Sequence, residues 1–121
     1  MVIDDETDFL KLVEGWLKAS YQVTCFSSAE GVCEQIEAID PDLVLLDVHM
    51  PDQSGFAVCS RLRSEARFAE LPVVFLTGSK TDEDFLLHLD SGGTRYLTKP
   101  IGRRGLLQAV AEHLGQEEAR T

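Results

Sequence analysis

The stretch Asp42-Leu43-Val44-Leu45-Leu46-Asp47-Val48-His49-Met50-Pro51 constrains the fold of this chain more than any other. Leu43 to Leu46 are apolar without a break, which is the pattern of a strand covered on both faces inside a parallel sheet. The run ends on a carboxylate, Asp47, and Met50-Pro51 followed by Gly55 stops the strand and turns the chain. In an open parallel sheet the carboxyl ends of the strands are where ligands bind. Taken alone, Asp47 is equally suited to capping the next helix, and the rest of the chain has to separate the two readings.

Val2-Ile3 runs straight into Asp4-Asp5-Glu6, after which Phe9, Leu10, Leu12, Val13, Trp16 and Leu17 recur at helical spacing. Strand, acidic turn and helix therefore follow in order. Thr7 suits the helix start as a cap, and Asp4 and Asp5 also fit ordinary helix-start chemistry, because acids favour the positive end of a helix. Residues 22–26 read as a second strand, and 29–39 as a helix with Val32, Ile36 and Ile39 on one face, ended by Asp40-Pro41. After the central strand the spacing predicts a helix over 55–66, with Phe56, Val58, Cys59 and Leu62 available to the core. Residues 73–76 form another fully apolar strand that stops at Thr77-Gly78, which sets a hydroxyl at a carboxyl strand end. A fourth helix over 81–90 has Asp82, Glu83 and Asp84 in its first turn and Gly92-Gly93 after its end. Arg95–Thr98 is the fifth strand, running into Lys99-Pro100, and Arg103–Leu114 the fifth helix, with Leu106, Leu107, Val110 and Leu114 along one side. Strands alternating with helices in this way make a doubly wound α/β fold.

The totals agree. The 121 residues suffice for one domain, taken as 1–115 with a polar tail over 116–121, and 44% hydrophobic with 26% charged residues is ordinary globular composition. No apolar run approaches the roughly 18 residues of a membrane span. Cys25, Cys33 and Cys59 are odd in number and lack metal-ligand spacing, which fits a reducing cytoplasm and burial as small hydrophobes. The net charge of −10 argues against binding nucleic acid, whose phosphates demand clustered Lys and Arg. It favours cations and basic protein surfaces. His49, His88 and His113 fall on different elements, so a histidine metal site is not expected.

In a parallel sheet Asp4, Asp5, Asp47, Thr77 and Lys99 all reach one edge of the molecule, which four independent caps would rarely do. Crowded carboxylates repel, so the cluster wants a cation. Oxygen ligands without nitrogen or sulfur select a hard ion such as Mg²⁺. With that charge offset, Asp47 can act as a nucleophile toward a phosphoryl group, Lys99 can meet one of its oxygens and Thr77 another, with Gly78 leaving room for access.

This constellation resembles the receiver domain of two-component response regulators of the chemotaxis-regulator type, and the likeness covers essentially the whole chain. It rests on Val2-Ile3-Asp4-Asp5-Glu6, Leu45-Leu46-Asp47 with Met50-Pro51 and Gly55, Leu76-Thr77-Gly78, and Tyr96-Leu97-Thr98-Lys99-Pro100. The resemblance implies a flavodoxin-like, three-layer α/β/α domain with five parallel strands in the order 2-1-3-4-5. It implies Asp47 as phosphoacceptor, Asp4 and Asp5 as the acidic pair with Asp5 a direct Mg²⁺ ligand, and the His49 carbonyl as a further ligand. Thr77 and Lys99 are then the phosphoryl-sensing pair, Tyr96 the aromatic switch residue, and the Lys99–Pro100 bond cis. A histidine kinase or phosphotransfer protein is the implied phosphoryl source, and the face of the fourth helix, fifth strand and fifth helix, near His88, Arg95, Arg103 and Arg104, the implied site of a homodimer or output partner. Such a domain is no enzyme beyond its own phosphorylation and dephosphorylation, whose rate His49 and Ser79 are placed to tune.

Two departures stand out. Three residues precede Asp4, a strand of roughly 10 Å, where the family usually has several more, so a trimmed chain or reduced stability is expected and added apolar residues upstream should raise the melting temperature. Gly92-Gly93-Thr94 replaces the more usual Ala-Gly-Ala. Of the rival readings, a haloacid-dehalogenase-type phosphohydrolase requires an acid two residues after the nucleophile, where His49 stands. A phosphorylation-independent interaction domain predicts erosion of the acidic set, which is intact. Neither GxGxxG nor a Walker A pattern supports nucleotide binding.

Overall fold

The computed structural model describes residues 1–78 and 82–114, and of residues 82, 83 and 85 the backbone alone. Ser79, the expected helix start at Thr81 and the polar tail lie outside the described residues. The elements are β1 (Val2–Ile3), α1 (Thr7–Leu17), β2 (Cys25–Phe26), α2 (Val32–Ile39), β3 (Val44–Asp47), α3 (Gly55–Arg63), β4 (Val73–Thr77), α4 (Asp82–Ser91), β5 (Arg95–Thr98) and α5 (Arg103–Leu114), with a 3₁₀ turn over Ala66–Phe68. The strands form one parallel sheet in the order β2-β1-β3-β4-β5.

The apolar runs occupy the centre because each strand residue there has a core to face on both sides. Ile3, Val44, Leu46, Val73 and Phe75 point into one core with α2 and α3, whereas Val2, Leu45, Val74 and Leu76 point into the other with α1 and α5. Alternate residues thus feed alternate layers, as the period of a strand requires. Fully burying a side chain such as Leu45 or Phe75 contributes roughly 1.5–3 kcal/mol.

Several boundaries differ from those expected, each for a local reason. β2 is confined to Cys25–Phe26 because β1 offers it two residues, Val2 opposite Cys25 and Ile3 opposite Phe26. α2 starts at Val32, not residue 29, because Gly31 precedes it in the left-handed region at φ 69°. α3 stops at Arg63, where the Ser64 hydroxyl donates to the Arg61 carbonyl at 2.6 Å, short of the expected Ala66. Thr7 is the first helical residue rather than the cap; the extended Glu6 precedes it, its N–H donating to Asp4 Oδ1 at 2.9 Å. Ile39, expected on the core face of its helix, is substantially exposed at the last turn.

At the opposite end from the acidic residues, the Met1 ammonium is buried against the Leu43 carbonyl at 3.1 Å, and burial pushes its pKa down. A cavity of about 360 Å³ lined by Met1, Tyr21, Val23, Leu43 and Leu114 opens beside it. Fusing a few apolar residues ahead of Met1 moves that charge into water and fills the space, so the melting temperature should rise by several degrees; an unchanged transition would show that the two-residue strand suffices.

Gly55 opens α3 directly behind β3. Its N–H donates to the Val48 carbonyl at 2.8 Å, and a Cβ there would sit 2.3 Å from the Asp47 carbonyl oxygen, a backbone atom that cannot rotate away. Gly55→Ala should lower stability by about 1–3 kcal/mol through this overlap, seen as a lower urea midpoint at unchanged m-value.

Candidate functional site

β1, β3 and β4 end in register, and the residues at or just beyond their carboxyl ends build the site. Asp4 follows Ile3, Asp47 closes β3 and pairs with Leu76, and Thr77 closes β4 opposite Thr98. Each of Asp4, Asp5 and Asp47 offers a carboxylate oxygen, and the three oxygens lie within 4.8 Å of one another. Asp4 and Asp47 are buried, whereas Asp5 reaches solvent. Thr77 is fully buried, and its carbonyl accepts the Lys99 N–H at 2.7 Å, tying the ends of β4 and β5 together. The Lys99–Pro100 peptide bond is cis.

Charge is distributed unevenly. Burial and then the neighbouring Asp4 carboxylate push the Asp47 carboxyl up to about 7, with Lys99 working in the other direction. Burial also raises Asp4, against the pull of the Lys99 hydrogen bond. Lys99 Nζ donates to Asp4 Oδ2 at 2.8 Å and to Glu6 Oε1 at 2.7 Å and lies 4.5 Å from the Phe9 ring centroid. Burial opposes its charge, but these carboxylates hold its pKa above the ordinary value. An oxygen-only set with this excess of negative charge fits a hard divalent cation.

The remaining expected residues lie around this cluster. His49 turns its ring away, Nε2 lying 2.9 Å from Asp84 Oδ2 at the start of α4. Tyr96 packs on the α2–α3 core with its ring 5.3 Å from that of His88. His88 is not a surface residue of its face: it is buried, edge-on to Phe75 at 5.5 Å, and its pKa is lowered by burial. Gly93 makes that possible, since a Cβ there would lie 2.2 Å from the Phe75 ring and 2.7 Å from His88 Nδ1. Three participants carried no role in the sequence reading: Glu6, Phe9 and Asp84. Glu6 adjoins the acidic pair as the extended residue before α1 and Phe9 stands in that helix's first turn, and this nearness in sequence to Asp4 and Asp5 was their available signal.

Because the Asp47 pKa lies above its ordinary 3.8, the folded protein binds a proton there that the unfolded chain releases. The resulting stability is fully present below about pH 4 and is lost as pH rises toward 7. In metal-free buffer the melting temperature of the wild type should therefore fall across this window more steeply than that of Asp47→Asn, which should be more stable at pH 8 by on the order of 1–3 kcal/mol. Parallel pH profiles would contradict this account of the cluster.

Comparison with known proteins agrees with this geometry. Residues 1–111 match the family described as response regulator receiver domain. The chain is 36% identical over 118 residues to the transcriptional regulatory protein SpaR of Bacillus subtilis, covering 97% of this chain and 52% of that protein. It is 33% identical over 115 residues to the transcriptional regulatory protein GltR of Pseudomonas aeruginosa, covering 91% and 46%. The chain thus spans about half the length of these curated relatives. Among solved structures, a CheY-like response regulator receiver domain protein from Methanospirillum hungatei superposes with a TM-score of 0.88 at 25% identity over 99% of this chain and 95% of the other. The response regulator DrrB of Thermotoga maritima gives 0.83 at 32% identity, over 96% and 52%. Sheet order, acidic strand ends and sequence matches converge: the chain belongs to the response regulator receiver domains of two-component signalling.

Proposed function

We propose that this domain, residues 1–115, accepts a phosphoryl group on Asp47 from a histidine kinase or phosphotransfer protein in the cytoplasm. The observation that carries the reading is the meeting of the Asp4, Asp5 and Asp47 oxygens within 4.8 Å, beside a lysine and a buried threonine. An Asp47 oxygen attacks phosphorus, and the bond from phosphorus to the donor's leaving atom breaks, its electron pair departing with the donor. Asp47 must be ionised to attack, and burial with Asp4 alongside resists that. Asp4, Asp5, Asp47 and the His49 carbonyl would hold Mg²⁺, which when bound would supply the offsetting charge and draw negative charge from the transferring oxygens. Lys99 meets one phosphoryl oxygen through its ammonium, and Thr77 meets another through its hydroxyl.

The phosphoryl group, which carries about 1.5 to 2 negative charges and three acceptor oxygens where the carboxylate carried one charge, is what switches the domain. Thr77 moves toward the phosphoryl group, and Tyr96, against His88 on the neighbouring side, follows into the space released. The face of α4, β5 and α5 then changes shape for a second copy or an output partner. Leu86 and Leu89, 63% and 58% exposed on α4, and the Arg95–Glu112 pair joining β5 to α5 give that face apolar and charged contacts to offer.

Incubation with acetyl phosphate and Mg²⁺ should give a single phosphoryl adduct by intact mass, absent from Asp47→Asn and from a sample in EDTA. Absence of the adduct together with absence of beryllofluoride binding would identify a phosphorylation-independent interaction domain instead.

A further inference from the structure

Resting on the phosphoacceptor reading above, we infer that Glu6 is a positioning residue that competes with the phosphoryl group for Lys99. The Lys99 ammonium is held by two carboxylates of opposite character. Asp4, at 2.8 Å, is completely buried. Glu6, at 2.7 Å, has a side chain 64% exposed, and it reaches over a lysine whose own side chain is 15% exposed. The Phe9 ring lies against the amine as a third neighbour. Asp47 acts on Lys99 through its charge, but the ammonium's ion pairs among the described residues are with Asp4 and Glu6.

An ammonium has three donors; two are on Asp4 and Glu6 and the Phe9 ring lies against the group as well, so turning toward a phosphoryl oxygen on Asp47 displaces one of these neighbours. Releasing Asp4 would take the hydrogen-bonding cation from a completely buried carboxylate and leave it dependent on a metal ion shared with Asp5 and Asp47, which is unfavourable. Releasing Glu6 returns an exposed carboxylate to water, which an exposed ion pair resists only weakly. The Glu6 bond is therefore the one that exchanges, and its strength sets how readily Lys99 is handed over. An exposed pair of this kind shifts the equilibrium by about two- to fivefold, and salt screens it.

The test compares wild type with Glu6→Gln, which keeps the shape and removes the charge. Asp8→Asn serves as control, taking the same charge from the exposed first turn of α1. Two quantities are read: the rate of adduct formation against acetyl phosphate concentration, and the affinity for beryllofluoride with Mg²⁺ by calorimetry. Glu6→Gln should bind beryllofluoride two- to fivefold more tightly and form adduct correspondingly faster at low salt, with the ratio to wild type falling toward one in high salt. Equal or weaker binding by Glu6→Gln would overturn the inference, as would an equal gain from Asp8→Asn, which would reduce the effect to net charge. A wild type that forms no adduct and binds no beryllofluoride would overturn the phosphoacceptor reading and the inference together.

Discussion

Like charges brought together out of water govern this molecule. Asp4 and Asp47 are buried within a few ångströms of each other, and in a medium of low dielectric their repulsion far exceeds what the same pair would feel on a surface. Two local remedies are built in. Lys99 places a cation against Asp4, and Asp47 retains a proton up to about pH 7. Both are exchangeable, because a proton leaves when a stronger positive charge arrives and an ammonium can turn toward a new anion. The unfavourable clustering is thus what fits the site for a cation, since a fully neutralised group of side chains would have no use for one.

Holding such a cluster together falls to the rest of the fold. Asp47 is far in sequence from the adjacent Asp4 and Asp5, and the parallel register brings Ile3 beside Leu46 and Asp47 beside Leu76, so that the strand ends meet. Two apolar cores, one on each face, fix that register, because a slip of one residue would exchange every inward side chain between them. The close approach of α3 to the Asp47 carbonyl, which a glycine at position 55 permits, fixes the chain on the far side of the aspartate. Burial of aliphatic side chains thereby sustains the electrostatic strain at the edge.

Fold class and the placing of Asp4, Asp5, Asp47 and Thr77 were legible because apolar runs mark buried strands and each of these residues stands at or just beyond the end of one, whereas the sheet order came from the family resemblance and Lys99 follows a mixed, half-buried strand. Boundaries that depend on a partner were less so. β2 is limited by what β1 offers it, and the start of α2 by the left-handed Gly31, neither of which the local hydrophobic pattern contains. The partners of Lys99 were hidden for a related reason. Glu6 adjoins the acidic pair in sequence, but which carboxylates an amine ninety-odd residues away will reach depends on tertiary geometry. The burial of His88 was not legible, because among the described side chains of α4 the histidine is inside while Leu86, Leu87 and Leu89 are exposed, an inversion of the usual rule.

That inversion bears on which element can respond to the site. Among the described side chains of α4, Leu86, Leu87 and Leu89 contribute little to the core, while the buried His88 lies against Phe75 and Tyr96 and Asp84 meets His49. The described side chains of α4 are attached by ring contacts and a polar link, with the leucines exposed, whereas α1 buries Leu10, Val13 and Leu17. Both attachments lead to the site: His49 lies two residues beyond Asp47, and Phe75 lies two before Thr77 on the same strand. Among its described residues α4 is therefore tied to strands on both sides of the site through His49 and Phe75, while Leu86, Leu87 and Leu89 stand in solvent.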